Sequence, residues 1–102
     1  MASRNIRGVV ESVVVTGGTP WYRPEAAIRV IEDAKATGRL IIGFHAAIIG
    51  RNGILPSLVD SWNYGRSGWP PNESAHDHAI RFIRARAISR LFFDLVLRDP
   101  SR

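Results

Sequence analysis

Two side chains near the middle of the chain could act as an acid–base pair. A hairpin turning at Asn52-Gly53, the commonest two-residue hairpin signal, places His45 opposite Asp60 on the neighbouring strand. An imidazole beside a carboxylate can move protons near neutral pH. Catalysis also needs a nucleophile and a third orienting group, and this register brings no Ser, Thr or Lys beside the pair. We therefore expect a structural hydrogen bond, and we predict that the protein is not an enzyme.

A second cluster, His76-Asp77-His78, invites a metal-binding interpretation. The segment is predicted to begin a helix, and residues two apart on a helix point about 200° away from each other. The two imidazoles therefore do not converge on one ion, as a metal site requires. The sequence also contains neither of the glycine-rich phosphate-binding motifs. We expect solvated side chains in a first helical turn, with no metal and no cofactor.

The charge balance of the chain fits either a solvated surface in an arginine-rich proteome, which is the simpler interpretation, or attraction to a partner of opposite sign. Among 102 residues, 14 are basic and 9 are acidic, which gives a net charge of +5. A positive protein attracts nucleic acid or an acidic protein surface. The arginines of the last predicted helix do not form one groove-reading stripe, so sequence-specific readout of nucleic acid is not expected. Phosphate binding remains an alternative to binding an acidic protein.

The composition favours one domain over residues 1–102 in the cytoplasm. A hydrophobic fraction of 45% and a charged fraction of 23% are typical of globular proteins. The absence of cysteine fits a reducing compartment, and "MASRNIRGVV" lacks the apolar run of a secretory signal. The longest apolar run, "LIIGFHAAIIG", is too short to span a bilayer. We expect no membrane contact, while the sequence leaves a homodimer open.

Local patterns predict the order helix, helix, strand, strand, helix, strand. Residues 3–16 are ambiguous, because apolar side chains recur at helical spacing whereas the many valines favour a strand; the spacing narrowly favours a helix. Pro24 begins a clear second helix and Gly38 ends it. The unbroken apolar run from Leu40 is typical of a central strand. Pro56 cannot donate to a ladder, which places the second strand at an edge.

The predicted fold class is α+β, with a three-stranded antiparallel sheet in the order 2-1-3 and three helices, in the element order ααββαβ. The turn at Asn52-Gly53 also pairs Gly43 with Trp62 and Ile41 with Tyr64. The helices are expected to cover one face of this sheet. The other face then shows His45, Asp60, Trp62, Tyr64, Phe92 and Asp94.

This uncovered face is the predicted binding surface. Aromatic side chains are enriched in protein interfaces, and exposed apolar patches usually mark a partner. The loop from Tyr64 to Trp69 is expected at the rim of the face. The sequence leaves open whether the helices form the interface instead. The predicted partner-binding residues are His45, Asp60, Trp62, Tyr64, Arg66 and Trp69.

Four stretches of the chain together resemble one family. "IRGVVESVVVTGG" is similar to an opening helix and turn, and "WYRPEAAIRVIEDAKATGRLIIG" to a helix followed by a strand. "LPSLVDSW" is similar to a second strand ending in Trp, and "SAHDHAIRFI" with "LFFDLVL" to a last helix and strand. From about Ile6 to Leu97 the chain thus resembles the immunity protein 40 family of bacterial polymorphic toxin systems. It departs from that family at Phe44-His45, where the family has a glycine and an acidic residue.

The resemblance implies a non-enzymatic inhibitor that binds a cognate toxin and blocks it. Trp62 matches a motif position of the family, and the resemblance also favours a helix over residues 3–16. We therefore expect an interaction protein of the immunity type, whose toxin partner has an acidic surface. The alternative is a basic protein that binds nucleic-acid phosphates through its arginines. A small enzyme built on His45 and Asp60 ranks last.

Overall fold

Strands of one antiparallel sheet and the helices packed against it account for most of the chain. A computed structural model describes residues 13–100. The strands are β1 (Val13–Thr16), β2 (Thr19–Tyr22), β3 (Leu40–Gly50), β4 (Gly53–Asn63) and β5 (Leu91–Arg98), and the helices are α1 (Pro24–Ala36), α2 (Tyr64–Ser67) and α3 (Ala75–Arg84). Along the sheet the strands follow the order β1-β2-β5-β3-β4. No helix in the described range is long and apolar enough to cross a membrane.

The sheet is larger than the sequence predicts, so the three-stranded sheet and the element order ααββαβ are wrong. Strand β3 does lie between β4 and β5 and runs antiparallel to both. Two further strands extend the sheet beyond β5, because Tyr22 of β2 pairs with Phe93. The observed element order is ββαββααβ. The fold is α+β, with a five-stranded antiparallel sheet and three helices.

The first hairpin replaces part of a predicted helix. Strands β1 and β2 pair around Gly17 and Gly18, whose φ angles are 60° and 81°. A tight hairpin turn of this type needs positive φ at both positions, which glycine adopts without a Cβ clash. The β preference of the valines therefore prevails over helical spacing from Val13 onward. Residues 3–12 of the predicted helix lie outside the described residues.

Helix α1 forms where its end signals predict, and a serine cap begins α3. Helix α1 begins at Pro24 and ends at Ala36, with Gly38 at a φ of 80° just beyond it. Ser74 caps α3, because its hydroxyl accepts the backbone N–H of Asp77 at 3.0 Å. The apolar stripes of both helices pack together on the sheet. The core that they share with β3 and β5 includes Ala27, Ile31, Ala79, Ile83, Phe44 and Phe93.

The β3–β4 hairpin turns one residue earlier than the Asn52-Gly53 pattern predicts. Gly50 pairs with Gly53, which leaves a two-residue loop between them. Gly53 has a φ of +120°, a backbone conformation that L side chains rarely adopt. The pairing near the turn moves by two residues, so that Ala47 faces Pro56. A shift by two keeps each side chain on its predicted face, and β4 is an edge strand, as the proline predicts.

A wide bulge interrupts the pairing further along β4. Phe44 pairs with Trp62 and Ala46 pairs with Ser57, so one residue of β3 lies opposite the four residues Leu58–Ser61. We call Leu58–Ser61 the β4 bulge. The bulge contains three residues more than the segment of β3 opposite it (four minus one). Because three is an odd number, every side chain after the bulge points to the opposite face of the sheet from the one predicted. At the end of β4, the side chains that were predicted to face away from the helices therefore face toward them.

Beyond the β4 bulge the two strands approach each other closely at Gly43. This glycine pairs with Asn63, so the predicted pairing of Gly43 with Trp62, and with it that of Ile41 with Tyr64, is wrong. A Cβ atom added at Gly43 would lie 2.6 Å from the backbone carbonyl oxygen of Trp62. Because that neighbour is backbone, relief of the clash would require the strands to move apart.

Replacing Gly43 with alanine is expected to lower the free energy of unfolding by about 1–3 kcal/mol, the usual effect of overpacking. Urea denaturation of the wild-type and variant proteins measures this difference. The control is Gly50→Ala, since a Cβ atom at Gly50 meets nothing within 4 Å; a change within about 0.5 kcal/mol is expected there. Equal stability of the two variants would contradict the close approach at Gly43.

Candidate interaction surface

Hydroxyl groups hold the β4 bulge where the ladder is missing. The backbone N–H of Ala46 donates to Ser61 Oγ at 2.8 Å, and that hydroxyl donates to the carbonyl oxygen of Ser57 at 2.7 Å. The Ser57 hydroxyl in turn donates to Asp60 Oδ2 at 2.5 Å. Short polar side chains compete with ladder hydrogen bonds for backbone groups. The backbone of β4 can therefore depart from the ladder at this point while the amide of Ala46 keeps a hydrogen-bond partner.

Asp60 ties the β4 bulge to the end of helix α3. Arg86 Nε donates to Asp60 Oδ1 at 2.6 Å, and Arg86 Nη1 donates to the carbonyl oxygen of Phe82 at 2.9 Å. The guanidinium carbon lies 3.6 Å from the centre of the Phe82 ring, a cation–π geometry. Hydrogen bonds from Ser57 and Arg86 lower the pKa of Asp60. Asp60 is therefore a charged anchor whose counter-ion belongs to the same fold.

The predicted pairing of His45 with Asp60 is wrong. His45 lies on the uncovered face of β3, opposite Asp94 of β5, and its Nδ1 is 3.4 Å from Asp94 Oδ2. The imidazole is 62% exposed, so this contact contributes little to stability. The structure therefore does not bring together the acid–base pair that the sequence offers.

Trp62 and Tyr64 point toward the helices, so the predicted uncovered aromatic face is wrong. Tyr64 is 1% exposed, and its hydroxyl lies 3.0 Å from the carbonyl oxygen of Ala75 and 2.8 Å from Nδ1 of His78. The Trp62 ring is centred 4.8 Å from the ring of His78 and 6.0 Å from that of Phe82. Aromatic rings at such separations stabilise a core. Both residues therefore pack on the helix-covered side of the sheet.

The His76-Asp77-His78 segment is not the solvated first turn that the sequence predicts. His78 is 8% exposed, whereas His76 Nε2 donates to the carbonyl oxygen of Arg39 at 2.6 Å. Within residues 13–100, no three His, Asp or Glu side chains lie close enough together to hold a metal ion. Burial lowers the pKa of His78 and raises the pKa of the Tyr64 hydroxyl. Both groups are therefore uncharged at neutral pH.

The β4 bulge presents apolar side chains to solvent. Leu58 and Val59 are each 84% exposed, and Leu55, just before the bulge, is 66% exposed. Full burial of one such side chain gains about 1.5–3 kcal/mol. Leu58 and Val59, which we call the exposed pair, are held outward because the anchor at Asp60 fixes the bulge behind them. They form a surface that a partner can cover.

A cavity of about 240 Å³ opens beside the exposed pair. It brings together three of the predicted partner-binding residues, His45, Trp62 and Arg66. The other three do not line it. Asp60 faces Arg86, Tyr64 is buried, and Trp69 is 61% exposed with its ring centred 5.4 Å from that of Tyr64. The predicted set is therefore divided among this cavity, the β4 bulge, the core and the loop after α2.

The sequence patterns do not predict that Leu58 and Val59 are exposed together, because a regular strand would turn them to opposite faces of the sheet. The signal that could have found them is the set of polar residues around them. Ser57, Asp60 and Ser61 carry the hydroxyl and carboxylate groups that favour turns over ladders. A strand pattern interrupted by three such residues predicts a bulge with its intervening side chains exposed.

Comparison of the chain with protein-family models, with curated proteins and with solved structures gave no match. The class of protein therefore depends on the features of this candidate interaction surface. Its features are an exposed apolar pair, an anchored bulge behind that pair, and an adjacent cavity that contains an arginine.

Lowering the pH from about 7.5 to 5 is expected to reduce the free energy of unfolding of the wild-type protein more than that of His78→Gln. Above the ordinary pKa of 6.5, the imidazole is neutral in both states and its stabilising contribution is fully present. Below 6.5 the unfolded chain binds a proton that the buried His78 does not. Stability therefore falls until the pH passes the folded-state pKa. Urea denaturation at a series of pH values measures the slope.

His45→Gln is the matched control for this pH series. His45 is exposed, so this variant separates the effect of burying an imidazole from the effect of losing one. The neighbours of His78 include Glu73 and Asp77, whose pKa values are lowered by hydrogen bonds from Arg81 and Lys35. They titrate below this pH window. Identical slopes for His78→Gln and the wild-type protein would contradict the burial of a neutral His78.

Proposed function

We propose that this protein is a bacterial immunity protein, a non-enzymatic interaction protein that binds a cognate toxin in the cytoplasm and neutralises it. The observation that carries the proposal is the exposed pair, Leu58 and Val59, each 84% exposed. Exposed apolar groups on a surface mark sites of interaction. The ion pair of Asp60 with Arg86 fixes the bulge behind them, so the surface is ordered before a partner arrives.

The charges near the exposed pair favour an acidic partner. Arg66 in α2 is exposed and lines the cavity beside Leu58, and Arg51 in the hairpin loop is exposed beside Leu55, nearer the start of β4. Asp60 is the only carboxylate in the sequence between residues 40 and 72, and Arg86 already compensates its charge. An apolar centre with an arginine beside it is complementary to an apolar patch that carries an acidic residue. A toxin with an acidic surface fits this description.

The resemblance of the chain to the immunity protein 40 family supports the same class. Trp62 matches a motif position of that family and packs against His78 and Phe82. Its contribution to the proposed function is therefore to support the end of β4 from the core side. Most of the contact with the toxin is made by the neighbours that the β4 bulge exposes, and Trp62 adds one wall of the cavity beside them.

Coexpression with the toxin encoded beside this chain tests the proposal. Cells that make the toxin are expected to grow when they also make the wild-type protein and to stop growing with Val59→Asp. The new carboxylate would have to lose its water at the interface and would face an acidic partner. The expected loss of binding free energy is about 2 kcal/mol, measured by isothermal titration calorimetry.

Ile88→Asp is the matched control for this experiment. Ile88 is fully exposed in the segment between α3 and β5, where the same substitution leaves both the core and the proposed interface unchanged. Cells with this variant are expected to grow as well as those with the wild-type protein. The proposal fails if the wild-type protein neither binds the toxin nor protects the cell.

The net charge of +5 favours one alternative, a basic protein that binds nucleic-acid phosphates. Arg84 and Arg90, at the end of α3 and just before β5, are exposed and would supply the contacts. Such binding releases counterions, so at low salt (about 50 mM) a nucleic-acid column should retain the wild-type protein, and retention should fall steeply as salt rises. The double variant Arg84→Glu, Arg90→Glu should then elute early. No retention of the wild-type protein would rule the alternative out.

A further inference from the structure

The cavity beside the exposed pair lies at the gap in the β3–β4 ladder. Its volume of about 240 Å³ is below the roughly 300–1,000 Å³ of small-molecule sites. That size suits a single side chain of the kind that anchors a protein interface. Leu58 and Trp62 supply apolar walls, and Ser61, Asn63 and Arg66 supply polar atoms.

Arg66 gives this cavity its charge. Among residues 13–100 its side chain belongs to none of the ion pairs, and no carboxylate is among the residues that line the cavity. His45 also lines it, but Asp94 lies 3.4 Å from that imidazole. The backbone at Arg66 is fixed, because Asn63 Oδ1 accepts its N–H at 3.0 Å. The cavity is therefore lined by a cation whose backbone is held in place and whose counter-ion is not among the other lining residues.

We propose that the cavity receives one carboxylate side chain, Asp or Glu, of a protein partner, with Arg66 as its counter-ion. The inference rests on the proposed function and names the point at which the toxin is held. Arginine and carboxylate groups match in shape and can form two parallel hydrogen bonds. When the partner binds, the exposed pair packs around this contact and excludes water from it. The exclusion of water strengthens the ion pair.

A protein side chain fits this site better than the other occupants. Pro56 opposes the addition of a strand to the edge of β4. At its position in the ladder, a backbone N–H would point to the outer edge of the sheet, and proline has no N–H. A second copy of this chain would bring like charges together, since each copy carries a net charge of +5. Nucleic-acid binding requires several phosphate contacts, whereas this cavity offers one arginine beside apolar side chains.

Binding of the purified chain to the toxin domain encoded beside it, measured by isothermal titration calorimetry, tests the inference. Arg66→Glu places a like charge opposite the partner's carboxylate, so affinity is expected to fall about tenfold to a hundredfold. Leu58→Asp changes the wall of the cavity and is expected to lose a similar factor. Replacing the toxin's surface Asp and Glu residues by Arg, one at a time, is expected to restore binding to Arg66→Glu at one position.

Arg84→Glu and Ile88→Asp are the matched controls. They make a charge reversal and an apolar-to-acidic change like those of the test variants, at exposed positions that do not line the cavity. Affinity is therefore expected to stay within about twofold of the wild-type value. Circular dichroism of all four variants checks that the fold is retained. Arg66 and Leu58 are themselves exposed, so their replacement leaves the core intact.

Wild-type affinity in both Arg66→Glu and Leu58→Asp would overturn the inference and leave the proposed function standing, since the toxin still binds. Absence of binding by the wild-type protein would instead contradict the proposed function, and the inference with it. A wild-type homodimer in light scattering that Leu58→Asp dissociates would assign the site to a second copy. Binding to oligo(dT) that is lost in Arg66→Glu and kept in Arg84→Glu would assign it to nucleic acid. Either result would overturn the inference.

Discussion

The hydroxyl of Ser61 accepts the backbone N–H of Ala46 at 2.8 Å, and the arrangement of the whole β4 side depends on this hydrogen bond. A buried backbone amide without a partner is strongly unfavourable, and Ala46 is 1% exposed in a central strand. Because a side chain satisfies it, the backbone of β4 can leave the ladder for the length of the bulge. Asp60 and Arg86 then fix the displaced segment from the side of helix α3.

One structural cause thus links the core to the proposed interface. The odd excess of residues in the β4 bulge turns Trp62 into the aromatic cluster with His78. The same excess places Leu58 and Val59 in solvent and opens the cavity beside them. A bulge that re-aims side chains at the edge of a sheet is a common device near functional sites. The apolar side chains that do not pack in the core are exposed to solvent, with an arginine beside them.

Local signals in the sequence predict the local structure well. Pro24 and Gly38 define helix α1, and Pro56 places β4 at an edge. In each case the energetic reason lies within a few residues of the signal. The uncovered position of His45 was also predictable, because it follows from simple alternation along the central strand.

The long-range features could not be predicted from the same patterns. The valines before Gly17 satisfy helical spacing and strand propensity together, and pairing of β2 with the distant β5 decides between them. The faces of Trp62 and Tyr64 depend on whether the bulge adds an odd or an even number of residues. That number is fixed by contacts such as Asp60 with Arg86, 26 positions apart. The resemblance to an immunity family gives no strand register, so it could not show on which face of the sheet Trp62 and Tyr64 lie.

Solution NMR of the wild-type protein tests most directly whether the β4 bulge reverses the end of the strand. Nuclear Overhauser contacts are expected from the indole protons of Trp62 to the rings of His78 and Phe82, whose centres lie 4.8 Å and 6.0 Å away. Contacts from the same indole to Phe92 and His45 on the uncovered face, with none to His78, would contradict the reversal.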